Sequence, residues 1–305
     1  MIVVVCPGQG SQTPGFLVPW LEDPAFAAGL DAMSAASGLD LVAHGTVSDA
    51  DTIRDTAVAQ PLIVAAGILT VRTLFAAGRG DRIAGIAGHS VGEITAAAGA
   101  GILSDADALG FVRERGVAMA EAAALEPSGM SAVLGGDEAE LLALLTELGL
   151  EPANFNGGGQ VVVAGAIDAL ARLAAAPPAR SRVIPLQVAG AFHTRYMQPA
   201  VASLAAVAAR LTPSNPTLPI WTNRDGSQVV DGARFVGYLV DQVSSPVRWD
   251  MCMQSFEAAG VTGIIEVAPA GALVGLAKRA LKGVPSVAIK TPDDLPAAFA
   301  LIDQQ

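Results

Sequence analysis

Ser90 stands in Gly88-His89-Ser90-Val91-Gly92, a G-x-S-x-G pentapeptide. The apolar run Arg82–Gly88 (RIAGIAG) precedes it, and a helix-compatible stretch from about Val91 to Ala100 follows. Strand, sharp turn and helix form the setting that a serine nucleophile elbow requires. Glycines let the backbone pack closely on both sides of such a turn. The start of the helix offers free N–H groups beside Ser90, which favour developing negative charge. The same residues would also suit a serine N-cap with glycines kept for packing. The strand–turn–helix context favours the nucleophile.

A serine nucleophile needs a base. The chain has three histidines, His44, His89 and His193. His89 adjoins Ser90 and is expected to pack or hydrogen-bond elsewhere. His44 lies in a glycine-containing stretch without a motif and reads as a surface or satisfied core histidine. His193, in Gly190-Ala191-Phe192-His193, follows a predicted strand and becomes the candidate base by elimination. Ordinary α/β-hydrolases run serine, acid, then a late histidine. Here more than a hundred residues follow His193 and none is histidine. That order fits a standard hydrolase poorly, so something other than a carboxylate is expected to orient the base.

Arg115 is the second unusual residue. Ser104 caps a predicted helix to about Leu125, with Asp107 three residues after the cap. At about 100° per residue, Ala108, Phe111, Val112, Met119 and Ala122 form one apolar stripe. Arg115 falls in its middle, whereas Arg113, Glu114 and Glu121 fall on other faces. A buried arginine needs an anionic partner or costs several kcal/mol. An internal salt bridge or a snorkelling side chain would meet that need. So would a bidentate clamp on a substrate carboxylate. Periodicity leaves these two readings about even. The loop Pro7–Gln12 (PGQGSQ) follows the first predicted strand. It is neither G-x-G-x-x-G nor a Walker loop, but such a turn can aim a backbone N–H into a site.

Composition narrows the rest. The chain has 305 residues, 52% apolar and only 15% charged, with 18 basic and 29 acidic residues for a net charge of −11. A large core is available, disorder is excluded, and the charge has the wrong sign for nucleic acid. The apolar runs at 61–71 and 94–103 fall short of the ~18–20 residues of a membrane span. Ile2–Cys6 lacks the flanks of a signal peptide, so a cytoplasmic protein with no membrane association is expected. The two cysteines, Cys6 and Cys252, have no metal or redox spacing and read as buried thiols. No metal site is expected.

The elements that must position these residues alternate strand and helix. Ile2–Cys6, Arg82–Gly88, Thr262–Val267 and Val284–Ile289 read as strands, with helices at 270–281 and 292–302. Thr291, Pro292 and Asp294 mark the start of the last helix. This pattern predicts an α/β fold around a parallel sheet. The middle differs. Met130–Leu134, Gly159–Ala164 and Arg182–Val188 read as strands, with helices at Asp137–Leu148 and Ile167–Ala176. That β-α-β-α-β order suggests a ferredoxin-like α+β subdomain at 127–189. It would be inserted in a larger domain formed by 1–126 and 190–305.

Taken together, these segments resemble the malonyl-CoA:acyl carrier protein transacylase family, its actinobacterial type in particular. The similar stretches are PGQGSQ at 7–12, GHSVGE at 88–93, RERGVAM at 113–119, GMSAVLG at 129–135, NFNGGGQVVVAG at 154–165, GAFH at 190–193 and PVRW at 246–249. They run in order along nearly the whole chain. The resemblance implies an α/β-hydrolase-like large domain with a ferredoxin-like insert. It implies that Ser90 is the acylated nucleophile and His193 its base. The backbone carbonyl of Gln242 would hold His193, which would account for the missing acid. The N–H groups of Gln9 and Val91 would form the oxyanion hole. Arg115 would bind the malonyl carboxylate, in a pocket shared with Gln9, Met119 and Phe192. The Phe192 ring would disfavour an α-methyl group. Asn154 and Asn156 match asparagines near the thioester arm or carrier. Asn223 reads as a structural loop residue.

The activity so implied is malonyl transfer from malonyl-CoA to the phosphopantetheine thiol of holo-acyl carrier protein, for fatty acid synthesis. No cofactor is implied beyond these substrates, and a monomer is expected. An acidic carrier would need a local basic patch, with Arg180, Arg182, Arg195, Lys278, Arg279 and Lys282 as candidates. Three other readings remain: a trans-acting acyltransferase of a polyketide pathway, a serine thioesterase or carboxylesterase, and a carrier-binding protein with a relic site.

Overall fold

The computed structural model describes residues 1–304. Ten strands follow one another along the chain: β1 (Ile2–Cys6), β2 (Ile83–Gly88), β3 (Ser128–Gly135), β4 (Glu151–Gly157), β5 (Gln160–Ala166), β6 (Ser181–Pro185), β7 (Ile220–Trp221), β8 (Val247–Arg248), β9 (Gly263–Glu266) and β10 (Ser286–Ala288). They form two five-stranded sheets.

The first sheet has the order β10-β9-β1-β2-β7, and every pair in it is parallel. All five residues of β1 are buried. A continuous apolar run suits a strand covered on both faces. The C-terminal ends of β1 and β2 lie side by side, with Cys6 opposite Gly88. The loops that follow, Pro7–Gln12 and His89–Val91, therefore leave the sheet together at its carboxyl edge, where open parallel sheets carry their sites.

The second sheet has the order β6-β3-β5-β4-β8. Its first four strands are antiparallel and connect as β-α-β-β-α-β, the ferredoxin-like arrangement. The expected middle order lacked β4. That strand carries Pro152, ends at Gly157 and buries Asn154 and Asn156, so it shows no apolar alternation. Irregular register against β5 accompanies these residues. The fifth strand, β8, pairs in parallel with β4 and comes from far along the chain. This sheet is thus completed from outside 127–189. β7 and β8 span two residues each, too few to show a periodicity. The expected strand at 182–188 ends at Pro185.

Two helices carry the core around the site. The Thr56–Leu74 helix is buried along most of its length and packs against the Asp105–Leu125 helix. With the turns that follow to Arg82 it is long and apolar enough to cross a membrane by length alone. It exceeds the apolar run read at 61–71, and its side chains belong to the protein's main core. In the second helix, Ser104 Oγ caps Asp107 N at 3.0 Å as expected. Ala108, Phe111, Val112, Met119 and Ala122 are buried, and Arg115 is buried among them at 1% exposure. At the C-terminal end Thr291 and Asp294 form a capping box. Cys6 and Cys252 are buried free thiols.

Candidate active site

Ser90 sits on a turn that only close backbone contact permits. Its φ is +54°, in the left-handed region that costs a non-glycine residue about 1 kcal/mol or more. A Cβ on Gly88 would lie 2.0 Å from the Gly92 carbonyl carbon, and one on Gly92 would lie 2.1 Å from the Cys6 carbonyl oxygen. Both glycines of the motif are thus obligatory. Asn223 fastens the turn from outside. Its side-chain oxygen accepts from Ser90 N at 2.7 Å, and its amide donates to the Gly88 carbonyl at 2.7 Å. Asn223 is a loop residue, as expected, but its partner is the backbone of the Ser90 turn itself.

His193 approaches from the opposite side, also with a positive φ, +63°. Its Nδ1 lies 2.8 Å from the Gln242 carbonyl oxygen, an acceptor only, so Nδ1 carries the proton. Nε2 is then bare and accepts from Ser90 Oγ–H at 2.7 Å. Burial, then the Arg115 charge, push the imidazole down to about 3, so the ring is neutral at neutral pH. A carbonyl replaces the acid of a triad and fixes the tautomer without adding charge.

Arg115 lies directly behind this pair, with Nη2 3.5 Å from Ser90 Oγ. Among the described residues no carboxylate touches it. Its Nη1 donates to Gln60 Oε1 at 2.8 Å and its Nη2 to Gln242 Oε1 at 2.7 Å. Neither the salt bridge nor the snorkelling alternative is what the fold adopts. Burial draws the guanidinium down to about 10, well above neutrality. Two neutral amides hold a full positive charge next to the serine.

The Gln242 side chain corrects the expectation that only its backbone matters. Its amide nitrogen donates to the Ser90 carbonyl at 3.1 Å and to Glu93 Oε2. Glu93 is buried, and its other oxygen accepts from Asn223 N at 2.6 Å. Burial pushes its carboxyl up to about 7, against the pull of these hydrogen bonds and of Arg115. Gln60 and Glu93 were missed as site residues. Glu93 lies in the GHSVGE stretch itself, and an acid in the first turn of an otherwise apolar helix was the available signal. Gln60 carried none, because its role depends on a helix pairing.

Ser90 and His193 open into a cleft of about 420 Å³ between the two sheets' layers. Gln9, Val91, Met119, Asn154, Asn156, Phe192 and Arg279 also line it. Among the described residues no protein acceptor engages the N–H of Gln9 or Val91. The Gln9 amide donates to Arg54 O and Thr56 Oγ1 at 3.3 and 3.4 Å. Asn156 pairs with His89 Nε2 at 2.9 Å and donates to Gln160 at 3.2 Å, while Asn154 Oδ1 is buried without a partner. His89 also stands edge-on to Trp249. Arg115 does not line the open cleft; it is reached past Ser90. No cluster of metal-ligating side chains occurs among the described residues.

Comparison with known proteins gives the chain a family. Residues 3–292 match the acyl transferase domain family. The chain is 50% identical over 299 residues to malonyl CoA-acyl carrier protein transacylase of Mycobacterium tuberculosis H37Rv, covering 97% of this chain and 98% of that protein. The Escherichia coli K12 enzyme of the same name is 35% identical over 304 residues, at 97% and 98% coverage. The fold superposes on the crystal structure of the Mycobacterium tuberculosis enzyme with a TM-score of 0.94, 49% identity and coverage of 97% and 99%. A malonyl-transacylase solved with a holo type II polyketide acyl-carrier protein gives 0.92 at 29% identity, covering 100% of this chain and 99% of that one. The chain belongs to the acyl transferase family, among the malonyl CoA-acyl carrier protein transacylases.

Proposed function

We propose that this protein moves a malonyl group from malonyl-CoA to the phosphopantetheine thiol of a holo-acyl carrier protein, in two half-reactions through Ser90. Ser90 Oγ attacks the thioester carbonyl as its proton passes to His193 Nε2. Negative charge on the carbonyl oxygen is met by the N–H groups of Gln9 and Val91, whose donors are unengaged. The C–S bond breaks, His193 returns the proton to the CoA thiolate, and a malonyl-serine ester remains. The carrier thiol then attacks that ester, His193 accepts its proton, and the proton returns to Ser90 as the C–O bond breaks. No cofactor is needed for these steps.

The observation that carries the substrate assignment is the charge of Arg115. Held by two neutral amide oxygens, the guanidinium has no counter-charge in contact. A malonyl carboxylate lies one methylene beyond the thioester carbonyl, so an acyl group on Ser90 would bring it toward that charge. Phe192 lines the same cleft and would crowd an α-methyl group. Arg279, at the cleft, is the leading cation for the carrier, whereas Arg195 is paired with Glu151. Charge reversal at Arg279 is expected to weaken the carrier's apparent affinity; an unchanged affinity would remove it from the docking surface.

Intact mass after brief mixing tests this function. With malonyl-CoA, wild type is expected to gain one malonyl group and Ser90→Ala none. Adding holo-acyl carrier protein should move the group onto the carrier thiol. Loss of the group to water alone would instead identify a thioesterase. Arg115→Ala should lower malonyl loading about 100-fold or more while sparing acetyl loading. Equal loss of both would end the carboxylate role.

A further inference from the structure

Arg115 is placed by an amide, and an amide can face two ways. Gln242 Oε1 meets the guanidinium, which only donates, and its Nε2 meets the Glu93 carboxylate, which accepts. Rotating the amide by half a turn would set N–H against N–H on one side and oxygen against oxygen on the other. Glu93 is itself fixed, because Asn223 N donates to its second oxygen and Asn223 is tied to the Ser90 turn. Glu93 never touches Arg115; Gln242 stands between them. A direct ion pair would occupy the guanidinium fork, whereas the intervening amide leaves the charge open.

We propose that Glu93 is a positioning residue for acyl-group selection: by fixing the orientation of the Gln242 amide it aims the Arg115 guanidinium at the incoming carboxylate, one amide away from its own charge. This rests on the assignment of Arg115 to the malonyl carboxylate.

The test compares malonyl and acetyl loading of Ser90 by intact mass in single turnovers, for wild type, Glu93→Gln, Gln242→Met and the double variant. Glu93→Gln keeps the shape but can present N–H to Gln242, which turns the amide or strands it. Malonyl loading is expected to fall about 10- to 100-fold, with acetyl loading down less than about threefold. Gln242→Met keeps the backbone carbonyl behind His193 and should lower the ratio equally. The double variant should be no worse than Gln242→Met, because the two act in series. Thermal melting reports folding of each variant. Equal loss of both acyl groups, an unchanged ratio, or additive losses in the double variant would overturn the proposal. Should Glu93→Gln fail to fold, an undiminished malonyl preference in Gln242→Met overturns it alone. Wild type that takes no malonyl group would instead refute the underlying function.

Discussion

The turns that deliver Ser90 and His193 are held in opposite ways. Both residues adopt a positive φ, and their reactive atoms meet at 2.7 Å. The serine turn is clamped by contact: β1, the turn and the helix after it come so close that two positions admit no Cβ. The histidine turn is clamped by distant hydrogen bonds. His193 N donates to Val243 O at 3.0 Å and Nδ1 to Gln242 O at 2.8 Å. Ala191 N donates to Ser128 Oγ at 3.1 Å. Steric clamping writes glycines into the sequence, and long-range hydrogen bonds leave almost no local trace.

Breaking the pair itself has the largest expected effect. His193→Ala should slow Ser90 acylation about 10³-fold, the scale of a lost general base, with little change in thermal stability. Single-turnover mass measurement checks it. Breaking the steric clamp comes next. Gly92→Ala must displace backbone and should cost about 3 kcal/mol or more in denaturant unfolding, with acylation lost alongside. A variant of wild-type stability would show that the close approach to Cys6 is not what demands glycine. Loosening the polar clamp should be gentler. Ser128→Ala removes one donor's acceptor and should cost about 1 kcal/mol, with acylation slowed about tenfold or less.

The same contrast explains what the sequence revealed. G-x-S-x-G after an apolar run exposed Ser90 as the candidate nucleophile, and the apolar stripe exposed Arg115 as misplaced. His193 emerged by elimination, because its support comes from Ser128 on β3 and from residues 242–243, which no local pattern joins to it. Gln242 was expected to act by its backbone alone, and its side chain became meaningful only once Arg115, Glu93 and the Ser90 carbonyl surrounded it. β4 went unread for a related reason: its buried positions hold asparagines that face the cleft, so function overwrote the periodicity.

Stability against pH probes the comparison from another side, because two buried groups oppose each other. His193 is held below its ordinary value, so its contribution is present above about 6.5 and is lost as pH falls from there toward about 3. Glu93 is held above its ordinary value, so its contribution is present below about 4.5 and is lost as pH rises through about 7. Glu93→Gln should therefore flatten the neutral side of the curve and leave the acid side in place. Unfolding free energies across this range check the sign.

The most direct measurement is the pH dependence of Ser90 acylation by acetyl-CoA in a single turnover, because acetyl loading does not depend on the Glu93 carboxylate that titrates near 7. A buried histidine, held neutral by its surroundings and by the Arg115 charge, should keep the rate level from neutral pH down to about 5. A rate that falls with the midpoint of an ordinary imidazole, near 6.5, would contradict a base held neutral by burial and the Arg115 charge.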